Sequence, residues 1–123
     1  MNNLGGLAER KAANYMRKKG YDLIEHNYNT RFGEIDLIFE YNDMIIFTEV
    51  KARNENSIAL PREFVDSKKQ ERIIAAASLF ISQHKITQQV RFDIIEVIHN
   101  SKKVISINHI KNAFMQGGSY GSF

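Results

Sequence analysis

The sequence contains no cysteine in 123 residues, which excludes disulfides, thiolate nucleophiles and cysteine-based zinc sites and removes any need for an oxidising compartment. With one proline and 25% charged residues, the composition is neither fibrous nor that of a disordered chain. No apolar run approaches the roughly 18 residues that would span a bilayer. The opening MNNLGGLAERK lacks the apolar stretch of a secretory signal. These absences predict a soluble, cytoplasmic protein with no membrane partner.

What is present suits one core. A chain of 123 residues that is 43% hydrophobic is too short for two ordinary domains. We expect a single domain over residues 1–116 and a flexible tail, GGSYGSF, at 117–123. Net charge is +3, from 17 Lys+Arg against 14 Asp+Glu, so a polyanionic partner is permitted but not demanded. The basic residues cluster: Arg10, Lys11, Arg17, Lys18 and Lys19, then Lys51 and Arg53, then Arg62, Lys68, Lys69 and Arg72. Solvated helix faces are the better account of most of them taken singly.

Apolar positions at Leu4, Ala8, Ala12, Tyr15 and Met16 have helical spacing, with Gly20 as a stop. YDLIEHNY reads as a strand, and GEIDLIFEY and MIIFTEVKA as a hairpin around Asn42-Asp43. After an irregular stretch ending at Pro61, a second helical pattern runs to about His84. VRFDIIEVI reads as a strand, KVISI as a weaker one and NHIKNAFM as a short terminal helix. The order predicts α/β architecture, a mixed central sheet flanked by helices.

A two-residue turn at Asn42-Asp43 pairs Tyr41 with Met44 and, counting back, sets Asp36 opposite Glu49. Two carboxylates facing each other across a strand pair repel unless a cation neutralises them. Lys51, two residues on, points to the same face, while Val50 between them offers a core side chain and a nearby backbone carbonyl. Hard carboxylate oxygens suit Mg²⁺, which acidifies a water and neutralises phosphoryl charge, and a lysine can stabilise the added negative charge. The alternative is a charge ladder on a solvated strand face, with Lys51 paired to Glu34. Glu9 falls in the apolar arc of the first helix, where an acid needs a partner or must reach solvent. Asp93 reads as half of a strand-edge ion pair with Arg91 or a loop basic residue, and the four histidines, His26, His84, His99 and His109, show no metal-ligand spacing.

GGLAERKAANYMRKKGYDLIEHNY, RFGEIDLI, FTEVKAR and RFDIIEV together resemble the UPF0102 (YraN-like) proteins, over nearly the whole chain up to about residue 98. Those proteins look like the restriction-endonuclease-like PD-(D/E)xK superfamily, in particular Holliday-junction resolvases. The resemblance implies a Mg²⁺- or Mn²⁺-dependent endonuclease acting on nucleic acid, DNA in preference to RNA and branched DNA as one candidate substrate, with in-line displacement and a 5′-phosphate product; a homodimer is one option, with no sequence feature that fixes it. It implies Glu9, Asp36, Glu49 and Lys51 as the catalytic set, with Asp36 and Glu49 as metal ligands supported by Glu9 and Val50. It also implies Lys69, Gln70 and Arg72 as phosphate contacts near a helix N-terminus, with Arg31 and Arg53 beside them. Thr48, Tyr28 and Asn29 stand where Val, Trp and Arg are common in the family. The alternatives are a nucleic-acid-binding module that keeps the fold with little or no turnover, and a protein-assembly factor.

Overall fold

Residues 6–57 and 65–115 are described by a computed structural model of the chain. Helix α1 is Leu7–Lys18, followed by strands β1 (Asp22–Asn29), β2 (Glu34–Tyr41) and β3 (Met44–Asn54), helix α2 (Ser67–His84), and strands β4 (Gln89–His99) and β5 (Val104–Phe114). The strands form one sheet in the order β1-β2-β3-β4-β5. All neighbours are antiparallel except β3 and β4, which run parallel; α2 makes the crossover that a parallel pair requires. The fold is therefore α/β, with a mixed five-stranded sheet flanked by two helices, consistent with a restriction-endonuclease-like core.

Alternation along the central strands separates two apolar layers. Ile38, Ile45, Phe47, Phe92 and Ile94 pack with Ile73, Ala76, Ala77 and Phe80 of α2. On the other face Leu37, Phe39, Ile46, Ile95 and Val97 pack with Ala12, Ala13 and Met16 of α1. Gly20 ends α1 at φ +95°, a left-handed conformation that costs glycine little. Asp66 caps α2, its side chain accepting the Lys69 N–H at 2.9 Å, which satisfies one of the orphan donors of the first turn.

The hairpin forms as the turn arithmetic requires. Asn42 and Asp43 take φ of 50° and 61°, the pattern of a two-residue turn that matches the strand twist. Pairing runs from Tyr41↔Met44 to Leu37↔Thr48.

Two expectations are corrected. NHIKNAFM is no helix: with KVISI it makes one continuous edge strand, β5. The cause is an irregularity in pairing with β4 between Phe92 and Ile94, opposite which Asn112 sits at φ 55°. A bulge puts Ile110, Ala113 and Phe114 at helical spacing within a strand. The second helix starts at Ser67 rather than just after Pro61. Pro61 itself, Leu4, Arg62 and the 117–123 tail lie outside the described residues.

Candidate functional site

Asp36 shares the parity of Ile38, and Glu49 and Lys51 that of Phe47, so all three turn to the α2 face of the sheet. The β2/β3 ladder ends at Leu37↔Thr48, one step short of Asp36 and Glu49. There the Asp36 carboxylate substitutes for a ladder bond, accepting the Val50 N–H at 2.7 Å. Val50 thus meets the site through its backbone and holds Asp36 in place.

Beside this pair opens a cleft of about 450 Å³, lined by Glu34, Asp36, Glu49, Lys68, Lys69 and Arg72 among others. Gly33 belongs to the same wall: a Cβ there would lie 3.2 Å from the Arg72 Cβ, so glycine is what lets the β1–β2 turn approach α2 closely. Thr30 closes that turn, its hydroxyl oxygen accepting the Phe32 and Gly33 N–H groups at 3.0 and 3.1 Å.

The cleft is electrostatically loaded. Burial first, then the neighbouring Glu49 carboxylate, pushes Asp36 up to about 8; the Val50 N–H works against the rise, while Glu9 and Glu34 add to it. Glu49 is 5% exposed and takes an ion pair from Lys69 Nζ at 2.6 Å. Burial and then the nearby Lys69 ammonium lower Lys51 below the usual lysine range, against the pull of Glu49 and Asp36. Lys69 is raised in spite of burial, because its bond to Glu49 and that carboxylate's charge outweigh desolvation.

Glu9 arrives from α1 and finds its partner in Asn27, whose side-chain amide donates to Glu9 Oε1 at 3.2 Å and to Glu34 Oε2 at 3.0 Å. The sequence reading missed Asn27. Its signal was an Asn interrupting strand alternation, and here it holds φ 49°, a region Asn tolerates better than most residues. Glu34 is thereby committed to Asn27, and its alternative pairing with Lys51 does not form among the described residues.

The expected nucleic-acid contacts divide. Lys69 and Arg72 line the cleft together with Lys68. Gln70 instead donates its amide to the Val65 carbonyl at 2.9 Å, tying down the start of α2. Arg31 lies on the exposed turn with its guanidinium 4.9 Å from the Phe32 ring centroid. Arg53 does not line the cleft: it pairs with Glu96, which is fully buried, and donates to the Ser57 carbonyl at 2.8 Å. Asp93 pairs with Arg91 as expected, but in the interior: Arg91 forks onto both of its oxygens at 2.8 and 2.7 Å, and His109 Nε2 lies 2.6 Å from one of them. Burial alone would raise Asp93, and these partners hold it below the usual carboxylate range.

Donor chemistry in the cleft fits a hard divalent cation. Asp36 is half-buried beside the buried carboxylate of Glu49, and Glu49, Glu9 and Glu34 each add negative charge there. Among the described residues no three His, Cys, Asp or Glu side chains converge as a ready-made cage. The donors on offer are therefore the two carboxylates, with the rest of an oxygen shell left to water, as Mg²⁺ tolerates. No helix among the described residues is long and apolar enough to cross a membrane.

Residues 8–97 match the group described as uncharacterised protein family UPF0102. A UPF0102 protein of Caldanaerobacter subterraneus is 45% identical over 114 residues, covering 90% of this chain and 93% of that one. One from Clostridioides difficile is 43% identical over 117 residues, 93% of this chain and 100% of its own length. One from Persephonella marina is 41% identical, over 89% of this chain and 91% of its own.

Proposed function

The chain belongs to the UPF0102 family, and from that premise we propose that it is a Mg²⁺- or Mn²⁺-dependent endonuclease that hydrolyses phosphodiester bonds in nucleic acid, branched DNA among its substrates. The observation that carries this reading is half-buried Asp36 beside buried Glu49, just past the end of the β2/β3 ladder, in a cleft that also presents Lys68, Lys69 and Arg72. Carboxylates so close and so desolvated are costly for a fold unless they have a use.

Asp36 and Glu49 would hold the cation, which when bound supplies an acidified water and neutralises charge on the phosphoryl oxygens. Val50 fixes Asp36 by its N–H. Asn27 steadies Glu9 and Glu34, whose charges reinforce the negative field at Asp36. Lys51, half-buried next to Glu49, orients the attacking water or stabilises the negative charge that develops on the phosphoryl group. Lys68, Lys69 and Arg72, on the first turns of α2, position the phosphate backbone.

One observation favours the alternative of a nucleic-acid-binding module with little turnover: Lys69 already occupies an oxygen of Glu49. A cleavage screen over branched, flap, single-stranded and duplex DNA and RNA, with Mg²⁺, Mn²⁺ or EDTA, separates the two. The nuclease reading expects metal-dependent products that fall about a hundredfold or more in Asp36→Asn, Glu49→Gln and Lys51→Met. Binding that is indifferent to EDTA and to Asp36→Asn, with no cleavage of any substrate, would establish the module instead.

A further inference from the structure

The ion pair between Lys69 and Glu49 has more than one explanation, and its surroundings discriminate among them. Glu49 is almost fully buried while the Lys69 side chain is 39% exposed, so the acid is fixed and the base is the mobile partner. Lys69 is also in a crowded place: Lys51 lies near enough for the two ammonium groups to oppose each other. A lysine serving only to neutralise Glu49 would not be needed, since Lys51 comes from the same strand and already turns to that face.

The backbone carrying Lys69 is pinned. Its own N–H is held by the Asp66 cap at 2.9 Å, the Gln70 amide is tied to Val65, and Arg72 abuts the β1–β2 turn at Gly33. Any change at Lys69 is therefore a swing of its flexible four-carbon stem, with the helix left where it is. The cleft that would receive the swung ammonium is lined by Lys68 and Arg72, both exposed.

We propose that Lys69 is a built-in counter-ion which a divalent cation displaces from Glu49, freeing the ammonium to join Lys68 and Arg72 on a nucleic-acid phosphate. This rests on the reading of Asp36 and Glu49 as metal carboxylates. The consequence is coupling: the metal-free protein keeps Glu49 paired and its phosphate-binding face one cation short, and metal and nucleic acid favour each other's binding. The site is thereby gated by its own lysine.

The test is calorimetric titration of Mn²⁺ into the wild type, Lys69→Met, Lys68→Met and Asp36→Asn, without nucleic acid and so without any activity readout. Lys69→Met should bind Mn²⁺ about five- to tenfold more tightly than wild type, since no ammonium has to leave. Lys68→Met, which removes the same charge from the same cleft but makes no bond to Glu49, should change affinity by about twofold or less. In a second arm, binding of a fluorescent branched DNA is measured with Ca²⁺ and with EDTA. Lys69→Met should weaken binding several-fold in Ca²⁺ and little in EDTA. Metal binding that disappears in Asp36→Asn but is equal in wild type and Lys69→Met, or tightened equally by Lys68→Met, would overturn the displacement while leaving the metal site intact. Absence of Mn²⁺ binding in every protein would overturn both.

Discussion

At Asp36 a carboxyl sits where burial and the charge of Glu49 push its titration up to about 8, above the value of about 3.9 for an unfolded aspartate. A raised carboxyl contributes stability that is complete below the unfolded value and is lost as pH rises through the folded one. The metal-free protein should therefore lose stability from this group as pH rises between about pH 4 and pH 8. Asp93 acts with the opposite sign: held low by His109 and Arg91 against its burial, it gives stability that is lost only as pH falls below about 4. Melting curves at pH 5 and pH 8.5 check this. Wild type should melt lower at pH 8.5, Asp36→Asn should lose most of that difference, and saturating Mn²⁺ should restore the wild type at pH 8.5. Arg53 makes a separate prediction. Because its partner Glu96 is fully buried and also receives the Asn108 amide at 2.7 Å, Arg53→Ala strands a charge and should cost about 3 kcal/mol or more in denaturant unfolding. A loss of nucleic-acid affinity at unchanged stability would instead make Arg53 a phosphate contact.

Among the elements, the β2–β3 hairpin was the most legible, because a two-residue turn leaves no freedom in register: Tyr41↔Met44 dictates the pairs down to Leu37↔Thr48. Asp36 and Glu49 follow from that register by counting. Asp43, at φ 61°, is strained relative to glycine, so Asp43→Gly should stabilise the hairpin by about 0.5 kcal/mol with no effect on metal binding, as read by thermal unfolding. The strand β5 was illegible for a physical reason, since its bulge at Asn112 replaces period two with spacing that imitates a helix turn. The pairings Lys69–Glu49, Asn27–Glu9 and Arg53–Glu96 span 20, 18 and 43 residues. They depend on how α1, α2 and the sheet dock, which no local pattern encodes. The residues of the candidate site were thus readable, and the partners that set their charge were not.

For the molecule as a whole, a net charge of +3 is too small to bind nucleic acid by bulk attraction, so affinity must come from where the cations lie. The α2 end of the cleft gathers Lys68, Lys69 and Arg72 opposite an acidic floor. Binding of DNA in Ca²⁺ should weaken steeply with salt, and Lys68→Met and Arg72→Met should each lower the log–log salt slope by about one. Slopes unchanged in both variants would move the nucleic-acid face elsewhere on the surface. The nuclease reading further requires that the carboxylates beneath these cations hold a metal. That requirement is met or refuted most directly by calorimetric titration of Mg²⁺ and Mn²⁺ into wild type and an Asp36→Ala/Glu49→Ala double variant. The account predicts saturable binding by the wild type that is abolished in the variant. Equal binding by both proteins, or none by either, would contradict it.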